Sequence, residues 1–247
     1  MPRTVIVGDV HACLDELREL LDRAGLCHSD RLYFVGDLVG RGPDSQGVLA
    51  LVRQLKAISV RGNHEHKMLA FRAAQLAGRN DVMLGPSHFA LARSMREADW
   101  DLLRAMPLWH DLDEHGLRIV HAGVLPGVPV EATDPNVLMT VRALTPRGQP
   151  VSVRAGDPWG RRYVGPPHVV FGHNALMRPQ FHSWSTGIDM GCVYGGFLAA
   201  IVLDAGQPVP PLQDRQDVII SVPARRTYYP IRIRRERVSS KVSKSRS

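Results

Sequence analysis

A chain of 247 residues with a hydrophobic fraction of 44% is long and apolar enough for one sizeable α/β domain with a proper core, which excludes a wholly disordered protein. Its net charge of +7 sits at one end: residues 221–247 carry nine Lys/Arg against one Glu, leaving residues 1–220 near −1, so the basicity belongs to a tail and not to the body. No apolar run reaches the roughly 18–20 residues of a membrane span. The three cysteines (Cys13, Cys27, Cys192) form no paired framework, and the start at Met1 runs directly into a strand-type segment with no room for a signal peptide. A reducing, cytoplasmic location is the expectation.

In chain order, the first element is the apolar run in VIVGDVH (5–11), followed by CLDELRELLDRAG (13–25), whose Leu14, Leu17, Leu20, Leu21 and Ala24 have helical spacing, with Gly25 as the stop. LYFVGD (32–37) reads as a second buried strand. PDSQGVLALVRQLKA (43–57) reads as a second helix, with Pro43 tolerated in its first turn. ISVRGNHE (58–65) is a third strand, so a βαβ alternation emerges, as parallel sheets require. Residues 64–78 and 88–106 are two helical stretches that interrupt the strand series and are expected to flank the mouth of the site. RIVHAG (118–123) and VVFGH (169–173) are further strands, while 125–167, rich in Pro, Gly and Arg, reads as long loops with Arg142 and Trp159 near a cleft. Residues 185–204 return to strand-type residues, their Gly pairs suggesting a hairpin or close backbone approach, and 217–224 is a last strand. The expected division is one domain over 1–230 and a basic, disordered tail over 231–247.

Five of these strands end in residues able to ligate metal. They supply Asp9 and His11, Asp37, Asn63 and His64, His121, and His173. A polar residue just past a buried strand sits at its carboxyl end, where open α/β sheets place ligands and catalytic groups. Asp9 and His11, two apart on an extended segment, share a face and make half of a first-row metal site. Asn63, His121 and His173 can make the other half, and Asp37 has two oxygens with which to bridge. Two metals roughly 3.5–4 Å apart clamp a phosphoryl group and generate a hydroxide for in-line attack. The mixed N/O set suits manganese, with iron, zinc or cobalt as alternatives. His64 is placed to protonate a leaving oxygen, and Arg41, just after Asp37, to hold phosphate oxygens by its planar fork. Arg142 is a second candidate clamp. Singly, Asp9 or His173 reads as a polar strand cap; the ordered set of five is what carries the metal reading. The other histidines (His28, His66, His88, His110, His115, His168, His182) have no spacing that recruits them.

The five blocks resemble the phosphoprotein phosphatase superfamily of metallophosphoesterases, whose pattern runs G-D-x-H-G, G-D-x-V-D-R-G, G-N-H-E, H-G/A-G and G-H. Within it the chain is most similar to the diadenosine tetraphosphatase and ApaH-like phosphatase branch, through GDVHACLDELRELL, VRGNHE, VHAGV, WGRRYVGPPHVVFGHNA and GIDMGCVYGGFLAAIVL, a likeness that covers most of residues 4–225. The resemblance implies a calcineurin-like α/β fold with a central β-sandwich flanked by helices. It implies one metal on Asp9 and His11, a second on Asn63, His121 and His173, and Asp37 as the bridge. His64 would be the general acid, Arg41 and Arg142 the phosphate ligands, and Glu65 a support to the metal-bound water or its neighbourhood. Three positions depart from the pattern: Ala12 stands for Gly, Met190 for Thr, and Gly40 for the Asp expected to hold the catalytic His.

The implied activity is hydrolysis of dinucleoside polyphosphates such as diadenosine tetraphosphate by direct attack of metal-bound hydroxide, giving two ADP if cleavage is symmetrical. A Ser/Thr protein phosphatase with the same metal site, acting on a phosphoprotein, is the first alternative, and RNA-cap activity is a further possibility within the branch. A non-catalytic scaffold binding nucleic acid weakly through the basic tail is the second. No membrane partner is expected.

Overall fold

The computed structural model describes residues 2–230; the tail expected over 231–247 lies outside the described residues. The chain runs β1 (Thr4–Val7), α1 (Leu14–Arg23), β2 (Arg31–Phe34), α2 (Ser45–Gln54), β3 (Ile58–Ser59), α3 (Asn63–Leu76), α4 (Pro86–Ser94) and α5 (Glu97–Ala105). It continues through β4 (Trp109–Leu112), β5 (Leu117–Val120), α6 (Pro135–Thr140), β6 (Ala143–Leu144), β7 (Pro150–Val151), β8 (Asp157–Pro158), α7 (Trp159–Arg162) and β9 (His168–Phe171). The last strands are β10 (Gln180–His182), β11 (Ser185–Gly187), β12 (Phe197–Leu203) and β13 (Ile219–Pro223).

Two five-stranded sheets, ordered β13-β12-β1-β2-β3 and β10-β11-β9-β5-β4, face each other as a sandwich. The ligand-bearing strands are parallel neighbours within each sheet: β1 with β2 and β2 with β3 in the first, β5 with β9 in the second. Antiparallel strands β12 and β13 extend the first sheet on one side, and β4 and β10 close the second at both edges, so the expected βαβ alternation holds for the site-bearing strands. The period of two is visible in β1: Ile6 points between the sheets with Tyr33, Val35, Ile119, Val170 and Ile201, while Val5 and Val7 point outward to the helices. Burial on both faces is why these strands read as unbroken apolar runs.

Leu14, Leu17, Leu20 and Leu21 of α1 pack on that outer face with Leu49 and Val52 of α2. Asp44 caps α2 by accepting from the Gly47 amide at 2.7 Å. The stretch expected as one helix over 88–106 is two, because Met95 and Arg96 are extended and Asp99 accepts from the Arg96 amide at 2.8 Å, starting α5 afresh. The region 125–167, expected as loops, holds α6, α7 and a three-stranded sheet ordered β7-β6-β8. Trp159 is not at the cleft: it is buried against Phe171, and its indole N–H donates to the Ala122 carbonyl at 3.0 Å. No helix among the described residues is long and apolar enough to cross a membrane.

The two sheets are stitched at their ligand-bearing ends. The His173 amide of the second sheet donates to the Asp9 carboxylate of the first at 3.1 Å, and His121 Nδ1 donates to the Val35 carbonyl at 2.8 Å. Gly172 passes so close to the first sheet that a Cβ there would overlap the Asp9 carboxylate. Gly172→Ala should therefore destabilise the fold by about 2 kcal/mol through overpacking, read as a lower urea midpoint; a midpoint equal to the parent's would mean the sheets have slack there.

Candidate metal centre and active site

Each sequence-predicted ligand lies just past the end of its strand or at the start of the next helix, and all of them converge on Asp37. Asp37 Oδ2 is 3.6 Å from His11 Nε2, which in turn lies 4.0 Å from Asp9 Oδ2. Asp37 Oδ1 is 3.5 Å from His121 Nε2, and that nitrogen is 3.1 Å from Asn63 Oδ1. The His121 and His173 rings pack edge to face at 5.1 Å. Asp37 thus offers one oxygen to each half of the predicted set, and two groups of donor atoms share it, one with His11 and His64 and the other with His121 and His173.

The polar atoms are arranged as a cation requires. The Nδ1–H of His121 donates to the Val35 carbonyl at 2.8 Å, which fixes the tautomer and leaves the Nε2 lone pair facing the oxygens of Asn63 and Asp37. These buried atoms can hold a cation between them. His173 Nε2 is buried with no hydrogen-bond partner. Burial, with His121 and Arg142 nearby, holds the His173 imidazole down at about 2, in the neutral form that ligates metals. Burial raises the Asp9 carboxyl, helped by Asp189 and Asp37, although the His173 amide donates to it at 3.1 Å. Burial acts to raise Asp37 too, but the four surrounding imidazoles overcome it and hold its carboxyl well below the usual carboxylate range.

The backbone here is strained. His11, Asp37, Arg41 and His173 all have positive φ (+45°, +50°, +69° and +63°), and so does Ala12 at +64°, where the family pattern has glycine. Such conformations cost of order 1–3 kcal/mol each and persist only where the surroundings over-determine them.

Glu65 supplies much of that constraint. Its Oε1 accepts from the amides of Leu38 and Val39 (2.9 and 3.2 Å), and its Oε2 from those of Asp37 and Gly62 (2.9 and 3.0 Å). Burial and the Asp37 charge push its carboxyl up to about 8, but four converging N–H groups leave no acceptor for a proton, so the geometry serves the charged form. Glu65 therefore lies behind the ligand loop and supports the neighbourhood of the site through backbone amides.

His64 begins α3. Its amide donates to Asp37 Oδ1 at 3.0 Å, and its Nε2 lies 3.9 Å from Asp37 Oδ2. Burial pulls its imidazole down to about 4, against the pull of Asp37. Arg41 Nη1 lies 2.7 Å from His11 Nε2, and its guanidinium sits over the rings of Tyr194 and Tyr229. Arg142 is held by the carbonyls of Ser152 (2.7 Å) and His173 (3.2 Å). A cleft of about 810 Å³ opens above Asp37 and His173, lined by Arg41, Arg142, Arg154 and the two tyrosines.

A family model for calcineurin-like phosphoesterases matches residues 2–177. The chain belongs to that family. The phosphoesterase is 31% identical over 221 residues to a bis(5'-nucleosyl)-tetraphosphatase PrpE [asymmetrical] of Geobacillus thermodenitrificans, covering 79% of this chain and 88% of the relative. It is likewise 31% identical to the protein of that name from Halalkalibacterium halodurans, with the same coverage. Among solved structures it matches one described as "a putative diadenosine tetraphosphatase" with a TM-score of 0.75 and 34% identity, over 91% of this chain and 96% of that one. A protein serine/threonine phosphatase from Saccharomyces cerevisiae shares the fold, with a TM-score of 0.59 and 16% identity over 93% of this chain and 82% of that one. The phosphoesterase is thus a hydrolase of phosphoester or phosphoanhydride bonds, in a family that works with divalent metals.

Sequence reasoning missed four members of the site. Tyr194 lay in a segment that carried the resemblance, GCVYGG, without being assigned a role. Arg154 and Tyr229 come from segments with no signal of their own. His88 was set aside with the unrecruited histidines, yet it touches His64.

The Glu65 network predicts that Glu65→Gln, which turns an NH₂ toward two N–H donors, costs about 3 kcal/mol or more of stability. Urea unfolding of the metal-free protein measures this. A loss under about 0.5 kcal/mol, the scale of an ordinary surface change, would mean that the four contacts do not hold the loop.

Proposed function

We propose that this phosphoesterase binds two divalent metals, one on Asp9 and His11 and one on Asn63, His121 and His173, with Asp37 bridging, and uses them to hydrolyse dinucleoside polyphosphates. The observation that carries the substrate class is the cleft itself. Three arginines, Arg41, Arg142 and Arg154, line one opening beside two tyrosine rings, which suits a chain of phosphates bearing a nucleoside better than a single phosphorylated side chain. The nitrogen and oxygen donors suit manganese, iron, zinc or cobalt better than calcium; manganese is the ion to test first. Bound metals supply a nucleophilic water and charge neutralisation at phosphorus.

The chain's own groups do the rest. Arg41, released from His11, and Arg142 hold the phosphoryl oxygens. His64 keeps its Nε2 beside Asp37 and hands a proton to the departing oxygen, while anionic substrate next to the ring favours its charged form. The names of the PrpE relatives favour asymmetric cleavage, to ATP and AMP, over the symmetric release of two ADP. The catalytic domain spans residues 1–230, since Tyr229 and Pro230 line the cleft. The three free cysteines are consistent with the cytoplasm.

Product analysis tests the substrate. Manganese-loaded protein offered diadenosine tetraphosphate and a phosphothreonine peptide at matched concentration should form ATP and AMP rapidly and phosphate from the peptide slowly; faster turnover of the peptide would transfer the protein to the phosphoprotein phosphatases. His64→Asn should leave metal content intact and lower turnover by about 10²–10⁴-fold, the usual contribution of a general acid. Parental rates on substrates with poor leaving groups would remove His64 from that role.

A further inference from the structure

Helix α4 sends one buried side chain into the site. His88 Nε2 lies 2.9 Å from His64 Nδ1, and the ring centroids are 4.7 Å apart. The same His64 nitrogen lies 3.1 Å from the Val39 carbonyl, which can only accept. Both neighbours are satisfied by one N–H, so the proton of neutral His64 belongs on Nδ1, and Nε2 is left for the cleft. His88 contributes its Nε2 as an acceptor.

His88 has room only because residue 40 is glycine. A Cβ on Gly40 would overlap the His88 ring and come within 2.9 Å of His64 Nδ1. A side chain at position 40 and the imidazole of His88 therefore compete for one place, beside one atom. The aspartate that the sequence pattern expects at position 40 is absent, and a group from a different helix fills the volume and takes the hydrogen bond.

We propose that His88 is the positioning residue of His64 in this chain, a neutral imidazole doing the orienting that a carboxylate at position 40 would otherwise do. This rests on His64 being the proton donor. A neutral acceptor stabilises a charged imidazole less than a carboxylate does. The pair therefore suits leaving groups that need little protonation, such as nucleotide phosphates, over the alkoxide of a serine or threonine.

The test uses the manganese-loaded enzyme with p-nitrophenyl phosphate, a good leaving group, and phenyl phosphate, a poor one. His88→Ala should lower kcat on phenyl phosphate about 10- to 100-fold, the scale of losing an orienting partner, with a much smaller effect on the nitrophenyl ester and unchanged KM and metal content. Adding Gly40→Asp to His88→Ala, which removes the overlap with the His88 ring while residue 40 keeps its φ of +83° and its Cβ meets His64 Nδ1 at 2.9 Å, should restore part of the loss, and His88→Gln, which keeps an acceptor, should lose less. In the metal-free protein, ¹⁵N-histidine spectra should show His64 protonated at Nδ1 in the parent and a mixture of tautomers in His88→Ala; His64→Asn assigns the signal. Equal effects on both esters, or an unchanged His64 tautomer, would overturn the inference. His64→Asn run in parallel separates the two readings. If it too treats both esters alike, the proton-donor reading falls and takes this one with it. If it loses only the poor leaving group while His88→Ala matches the parent, His88 alone is overturned.

Discussion

Four backbone N–H groups converge on the carboxylate of Glu65, and most of the site's geometry follows from that. They come from Asp37, Leu38, Val39 and Gly62, so one buried side chain at the start of α3 clamps the loop after β2 to the loop after β3. The clamp holds Asp37 at a φ of +50°, from which one carboxylate oxygen faces His11 and the other faces His121. It also holds Val39, whose carbonyl lies against His64. A buried carboxylate with fewer partners would be costly to keep charged; with four donors it organises a strained loop without itself touching the cleft.

The second sheet reaches the same point by other bonds. His121 is oriented by the Val35 carbonyl of the first sheet, and the His173 amide rests on Asp9. Ligands from two sheets therefore meet in one place, with the inter-sheet core of Ile6, Val35, Ile119 and Val170 directly behind them. The site is rigid because its supports are strand ends and buried backbone groups. The cleft above it is lined by arginines and tyrosines from loops and from the end of the described chain.

The convergence of Asp9, His11, Asp37, Asn63, His121 and His173 was legible in the sequence because each residue is local to a signal. A short apolar run, a glycine and a polar residue fix a strand end within a few positions, and five such ends in order left little choice of fold. Contacts across long distances were not legible. His88 lies 24 residues from His64 and carries no spacing that connects them. Glu65 was readable as part of a motif, but its partners are backbone amides, which no side-chain pattern reports. The strands of the small sheet over 143–158 are two residues long, too short to show a period. The break at Arg96 depends on Asp99 serving both as a cap and as the partner of Arg53, which belongs to another helix. Trp159 was placed at the cleft on composition, whereas its indole N–H had a buried carbonyl to satisfy.

The central claim is that one carboxylate, Asp37, joins two half-sites that each hold a metal. Counting bound ions tests it directly. Metal-free protein titrated with manganese and examined by native mass spectrometry should take up two ions per chain. Asn63→Ala should lose the second ion while keeping the first, and Asp37→Asn should hold neither tightly. A single ion at saturation in the parent protein, or two ions retained in Asp37→Asn, would contradict the account.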